Sequence, residues 1–303
     1  MLRATLLKLS ESPRFAKWVT SNGTTRRMAR RFVAGETLDE AIEAARACNN
    51  AGMLVSLDYL GENCTTTSDA QRSRDSYLEV YERIAQEKLH ANVSCKLTQL
   101  GLDLNVEFCQ GLVRSIAERA ASYDNFLRID MESSLYTQRT IDVVKRIRSN
   151  TPAVGTVIQS YLYRSETDIQ DLLAYGCRIR LCKGAYKESQ DVAYPNKKDV
   201  DFNYIRLMKI LLPSGFYHGI ATHDPRMIAE TIRWAATKQI SKDDFEFQML
   251  YGVRTDLQRR LVKDGYRVRI YIPYGNDWFP YFMRRLAERP ANLGFLLRNF
   301  FRS

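Results

Sequence analysis

The side chains best suited to chemistry in this chain stand at the ends of short apolar runs. Lys96 follows one run, Asp130-Met131-Glu132 another, Gln159 a third, and Arg180-Leu181-Cys182-Lys183-Gly184-Ala185-Tyr186 a fourth. Thr222-His223-Asp224 follows the next of these, and Tyr271 marks the end of the last. Beyond it, Tyr281-Phe282-Met283-Arg284-Arg285-Leu286-Ala287-Glu288 places two adjacent arginines on a helical pattern. A guanidinium group matches a carboxylate through two parallel hydrogen bonds, so an arginine pair at the mouth of a site is an anchor for a small acidic substrate. By i, i+3 and i+4 spacing, residues 281, 284, 285 and 288 share one face, and Phe282, Met283 and Leu286 form the apolar side. The same residues would also suit a surface helix with an Arg284–Glu288 ion pair.

Other chemistries have less to build on. Lys96 or Lys183 could serve a cofactor-free barrel enzyme as a Schiff-base nucleophile. A catalytic metal would have to be held almost wholly by carboxylates, because the histidines are only His90, His218 and His223 and no His-Glu-x-x-His occurs. Cys48, Cys64, Cys95, Cys109, Cys177 and Cys182 show no Cys-x-x-Cys pairing and read as reduced core thiols.

To bring such scattered residues together, the chain must repeat a simple unit. Apolar, β-branched runs recur at Met53–Leu60, Asn92–Leu97, Phe126–Glu132, Val154–Tyr161, Arg178–Ala185, Tyr217–His223, Phe245–Tyr251 and Val268–Tyr274. Helical periodicity fills the gaps: Asp69–Leu89, Val106–Tyr123, Leu135–Arg148, Glu166–Tyr175, Phe202–Leu212, Pro225–Thr237 and Thr255–Lys263. Strand and helix alternating eight times predict an α/β fold, a closed (β/α)8 TIM-type barrel, over residues 51–303, with function at the carboxyl ends of the strands. Within each strand the pattern predicts an apolar interior running into a polar tip. A doubly wound open sheet is the alternative, but the first strand, Val55-Ser56-Leu57-Asp58-Tyr59-Leu60-Gly61-Glu62, is followed by no Gly-x-Gly-x-x-Gly.

Residues 1–50 form an additional segment, expected to be a basic helical arm. Between Met1 and Gly35, Arg3, Lys8, Arg14, Lys17, Arg26, Arg27, Arg30 and Arg31 face the single acid Glu11, a net +7 within a chain of +10. Leu2, Leu6, Leu9, Phe15, Trp18 and Val19 have partial helical spacing, and Thr37–Asn49 reads as a further helix. Such an arm suits an anionic membrane surface or packing on the barrel. Nucleic acid is the poorer partner, since the basic residues are not interleaved with a stacking platform. With 45% hydrophobic residues, no apolar run near 18 residues and no apolar signal core, the chain is expected to be cytoplasmic.

Taken in order, Val93-Ser94-Cys95-Lys96-Leu97, Arg128-Ile129-Asp130-Met131-Glu132, Ile158-Gln159-Ser160-Tyr161, Arg180 to Tyr186, Ala221-Thr222-His223, Phe245 to Gly252, Arg269-Ile270-Tyr271 and Tyr281-x-x-Arg284-Arg285 resemble the strand-end motifs of the proline dehydrogenase family, in its short monofunctional bacterial form. The resemblance implies an FAD enzyme that oxidises L-proline to Δ1-pyrroline-5-carboxylate by hydride transfer from C5 to flavin N5, the first step of proline catabolism to glutamate. It further implies a membrane quinone as electron acceptor and peripheral association with the inner face of the cytoplasmic membrane. Carried over position by position, Arg284, Arg285 and Lys96 bind the proline carboxylate, while Tyr271, Tyr281, Leu250 and Tyr186 line the substrate pocket. Arg180 lies beside flavin N5, where a fixed cation favours the reduced flavin, and Asp130 orients its basic neighbours; these two are the catalytic pair. Met131, Gln159, Lys183, Gly184, Ala185, Thr222, His223 and Glu288 contact the cofactor. Hydroxyproline is disfavoured as substrate, because the Tyr271 ring leaves little room beside C4.

Overall fold

The structure is a computed structural model that describes Gly23, residues 29–61 and residues 64–287, apart from the side chains at 284, 286 and 287. Most of the expected basic arm, Glu62 and Glu288 lie outside the described residues, as does the side chain of Arg284.

Strands β1 (Leu54–Tyr59), β2 (Ala91–Cys95), β3 (Leu127–Ile129), β4 (Val154–Gln159), β5 (Arg178–Cys182), β6 (His218–Ala221), β7 (Phe245–Leu250) and β8 (Val268–Tyr274) close into one barrel. Every neighbouring pair is parallel, and β1 closes on β8 with Val55 opposite Ile270. Parallel closure demands a crossover after each strand. These are α2 (Thr67–Gln86), α3 (Val106–Ser122), α4 (Ser134–Arg148), α5 (Ser165–Ala174), α6 (Lys197–Leu211), α7 (Pro225–Thr237) and α8 (Thr255–Lys263), with α1 (Leu38–Asn50) before β1 and α9 (Trp278–Ala287) after β8. The helices start where their sequences supply caps. Thr37 and Glu40 form a capping box on α1, and the side chains of Thr66, Asn105 and Asp224 accept backbone N–H groups at the starts of α2, α3 and α7.

The main core lies between barrel wall and helices. Val55, Leu57, Val93, Leu127, Ile129, Leu181, Phe247 and Ile270 are fully or almost fully buried there against the helical layer. The inside of the barrel is different. Side chains on non-adjacent strands bond across it: Arg180 of β5 to Ser94 of β2 at 3.0 Å, and Tyr271 of β8 to Asp130 beyond β3 at 2.9 Å. The expected apolar strand interior with a polar tip is therefore corrected. Polar residues alternate along the strands, as Ser56 and Asp58 do in β1, and fill the interior with hydrogen bonds where branched aliphatic layers are usual.

One further arrangement matters for the site. Helix α1 packs on the outer wall at β1 and β8, the place a regular barrel gives to the helix after its last strand. Its lead-in also joins the barrel: the Ala34 N–H donates to the Pro273 carbonyl at 3.0 Å, and Trp278 Nε1 of α9 donates to Glu36 at 3.2 Å. Phe32 and Trp278 both pack on Phe282. With the wall occupied, α9 is held at the carboxyl end of β8, beside the barrel mouth.

Candidate active site

The centre of the mouth is a ring of ionic hydrogen bonds. Arg180, from β5, donates through Nη1 to Asp130 Oδ1 at 2.7 Å, through Nη2 to Ser94 Oγ at 3.0 Å, and through Nε to Gln248 of β7. Those bonds use three of the five N–H donors of a guanidinium, leaving two for a ligand. Its charged carbon lies 5.3 Å from the centre of the Tyr271 ring. The Tyr271 hydroxyl donates to the other oxygen of Asp130 at 2.9 Å. Burial, with Asp130 and Asp58 nearby, raises the Tyr271 phenol well above its ordinary range, so it acts as a neutral donor.

Beside this ring, Lys96 is held by Asp58 of β1, with Nζ at 3.1 and 2.9 Å from the two carboxylate oxygens. Both are buried. Burial raises the Asp58 pKa; Lys96 opposes that and Asp130 adds to it. A Schiff-base lysine needs its amine free to attack, whereas this ammonium is committed to a carboxylate. Lys183 is committed in the same way, to Asp201 at 2.6 Å and Asp224 at 3.0 Å. Below the mouth, Arg128 donates to the Thr156 and Arg178 carbonyls. Burial first and then Arg180 lower its pKa to about 9, so it remains a cation at neutral pH. Inside the barrel and at its mouth Lys96, Arg128, Arg180 and Arg269 thus stand with Asp58, Asp130, Glu132 and Glu246, and the two N–H groups left on Arg180 are donors open to an anionic ligand.

The loop after β5 carries Lys183, Gly184, Ala185 and Tyr186, all half-buried. Gly184 has φ +114°, and a Cβ there would fall 2.6 Å from Cγ of the Tyr161 ring. The glycine therefore admits Tyr161 in addition to any approaching ligand. The Tyr161 hydroxyl donates to Glu188 at 3.2 Å, and Glu188 also accepts the Ser134 N–H at the start of α4, so the loop is pinned to its neighbours. Next to it the Thr222 hydroxyl accepts the Asp224 N–H, and Asp224 is the carboxylate that holds Lys183. His223 Nε2 accepts the Leu250 N–H at 2.9 Å, which places any ring proton on Nδ1. At the β3–β4 side, the Gln159 amide donates to the Glu132 carbonyl beside buried Met131. On α9, the Arg285 guanidinium lies 5.2 Å from the Tyr281 ring centre and close enough to Cys182 for its charge to oppose the burial that lifts that thiol to about 12. Arg285 therefore reaches toward the end of β5. Tyr281 shares a face with Arg285 and is itself buried, as Phe282 and Met283 are; the side chains of Arg284, Leu286 and Glu288, which complete the two expected faces, lie outside the described residues.

Asp130, Arg180 and Tyr271 are thus brought into one hydrogen-bonded centre with the Lys96–Asp58 pair beside it, and the β5 loop, Thr222, His223, Leu250 and Gln159 lie at the same end of the barrel. Asp58, Gln248, Glu246 and Asp201 are functional neighbours that the strand-end motifs do not single out, and Asp224, at a strand end, proves to be a partner of Lys183. The period-two placing of Asp58 and of Glu246-x-Gln248 between apolar residues was the available signal.

The residues fit a flavin. Two donors of a fixed arginine remain for a ring edge, a glycine-bearing loop ends β5, and side-chain hydroxyl, amide and imidazole groups edge the mouth. The sequence profile described as proline dehydrogenase matches residues 41–298. The chain is 42% identical over 298 residues to proline dehydrogenase 1 of Bacillus subtilis (strain 168), covering 98% of each protein. It is 42% identical over 277 residues to the proline dehydrogenase of Deinococcus radiodurans, covering 89% of each. Among solved structures it resembles proline utilization A from Bdellovibrio bacteriovorus inactivated by N-propargylglycine, with a TM-score of 0.81 and 27% identity over 86% of this chain and 32% of that longer one. With closed barrel, charged mouth and near-complete alignment in agreement, the chain belongs to the proline dehydrogenase family.

Proposed function

We propose that this member of the family oxidises L-proline to Δ1-pyrroline-5-carboxylate with FAD bound at the barrel mouth, and passes the electrons to a membrane quinone. The observation that carries the reading is the Arg180–Asp130–Tyr271 centre beside Lys96, a fixed cationic site for a small amino acid and a redox ring. When bound, FAD supplies the acceptor for the two electrons and the hydrogen that leave proline C5.

The protein's own contribution is positioning. Arg285, Arg284 and Lys96 hold the substrate carboxylate, and the rings of Tyr271, Tyr281 and Tyr186 with Leu250 fix the pyrrolidine. Arg180 presents its two remaining N–H donors and a charge that Asp130 and Ser94 keep in place, so it stabilises negative charge on the ring without reorganising. Asp130 bonds both Arg180 and Tyr271 and so sets their separation. Lys183, Gly184, Ala185, Met131, Gln159, Thr222, His223 and Glu288 hold the cofactor. Because the acceptor is dissolved in lipid and no described helix is long and apolar enough to cross a membrane, contact with the bilayer is peripheral, through the basic arm.

The test combines turnover with sedimentation. Purified protein with proline and a soluble quinone should form a product trapped by o-aminobenzaldehyde. It should also sediment with anionic but not neutral liposomes, less so at high salt, and least when residues 1–35 are deleted. Equal sedimentation of the truncated protein would move the membrane contact elsewhere, and absence of the trapped product would remove the catalytic reading.

A further inference from the structure

Behind Arg180 lies a set of residues with no role in the reading so far. Gln248 stands between a cation and an anion: its carbonyl oxygen accepts from Arg180 Nε, and its amide nitrogen donates to Glu246 Oε1 at 2.5 Å. Only one orientation of the amide satisfies both neighbours, because a guanidinium has no acceptor and a carboxylate no donor. Glu246 is itself fixed. Arg269 Nε donates to it at 2.6 Å, and the Tyr217 hydroxyl donates at 2.8 Å. Burial alone would raise its pKa, yet Arg269 and these hydrogen bonds leave it below the usual carboxylate range, so it is an anion at neutral pH.

The fold also makes room for the amide. Gly219 of β6 is paired with Arg180 on one side and with Glu246 on the other. A Cβ at Gly219 would come within 2.7 Å of the Gln248 amide carbon and displace it. No positive φ requires glycine at 219, so its missing side chain serves the space that Gln248 occupies.

We propose that Gln248, oriented by Glu246 and accommodated by Gly219, is the positioning residue that fixes the Arg180 guanidinium for the redox step. Asp130 and Ser94 hold the two terminal nitrogens, and Gln248 holds Nε, so the planar group is fixed at every nitrogen and its two free N–H donors keep one direction. Loss of the Nε contact lets the plane rotate, and a misplacement on the scale of 1 Å costs up to about a hundredfold in rate. The catalytic consequence rests on Arg180 facing FAD, as proposed above; the contact itself does not.

The test therefore reads both. In ligand-free protein labelled at arginine nitrogens, the Arg180 Nε–Hε resonance, identified by its absence in Arg180→Lys, should be shifted and slow to exchange. It should revert toward a solvent-exposed arginine in Gln248→Met and in Gly219→Ala, and broaden in Glu246→Gln as the amide samples both orientations. Gly219→Ala adds one methyl against the end of a flexible side chain and serves should Gln248→Met not fold. In FAD-loaded protein both variants should lose about tenfold or more in kcat with a change in proline KM below about threefold, and the flavin midpoint potential should move to more negative values. An Arg180 Hε signal unchanged in a folded variant overturns the proposal, whatever the protein oxidises. An altered Hε signal with unchanged potential and kcat overturns the positioning role. Failure of the wild-type protein to bind FAD overturns the proposed function and shows as a separate result.

Discussion

Lys96 and Asp58 illustrate how much a single buried pair can decide. Each is almost fully buried, so removing one partner strands the charge of the other, at a cost of about 3–5 kcal/mol. Asp58→Asn is therefore expected to destabilise the protein by that order in urea unfolding, and the double variant Asp58→Asn with Lys96→Met to recover most of the loss; an unaffected single variant would show that the pair is not buried in solution. Arg285 differs, since the role proposed for it is binding. Arg285→Met should weaken proline binding by about 2 kcal/mol, seen as a raised KM, and Arg285→Lys should recover only part because an ammonium lacks the planar fork. Unchanged kinetics in Arg285→Met would make α9 a bystander. Most centre residues stand in the strand-end motifs, whereas Asp58 is marked only by its alternate placing between apolar residues of β1, and it takes closure of β1 on β2 to show that it meets Lys96.

At the scale of elements, β6 starts with a histidine whose protonation is coupled to folding. His218 Nδ1 accepts the Ile179 N–H at 3.0 Å and Nε2 faces Ser214 Oγ at 2.8 Å, so the folded ring is neutral. Burial, followed by Arg128, lowers its pKa from 6.5 to about 3. Between these values the unfolded chain binds the additional proton; the stabilisation is complete above pH 6.5 and is lost as pH falls. At pH 5 the loss is about 2 kcal/mol. A His218→Gln variant should show a flatter fall of Tm between pH 7.5 and 5 than the wild type, and identical slopes would contradict the assignment. Element positions were largely legible: β8, α7 and α8 have the predicted limits. Departures have local causes. β3 is only Leu127–Ile129 because the chain leaves the sheet after Asp130, whose N–H still donates to the Cys95 carbonyl at 2.8 Å. α6 begins at Lys197, five residues before the expected Phe202, where a charged first turn held by the Lys197–Asp201 pair hides the apolar period. Which face of each strand turns inward depends on cross-barrel contacts, and so the polar interior was not readable from local pattern.

For the whole molecule, the decisive arrangement is α1 occupying the wall at β1 and β8 while α9 stays at the mouth with Arg285 directed toward β5. The barrel then presents a charged interior, with the guanidinium of Arg180 and the ammonium of Lys96 held in place, to whatever enters between the strand ends and α9. In the proposed function proline brings a carboxylate to that site and a flavin a ring that becomes more negative on reduction, so both ligands would be met by the same fixed cations. This view requires cofactor and substrate to meet at one place, and a visible spectrum taken anaerobically before and after addition of L-proline tests it directly. Protein loaded with noncovalent FAD should lose its flavin absorption band on proline addition with no other reductant present. A folded, FAD-loaded protein whose band is unchanged by saturating proline would contradict it.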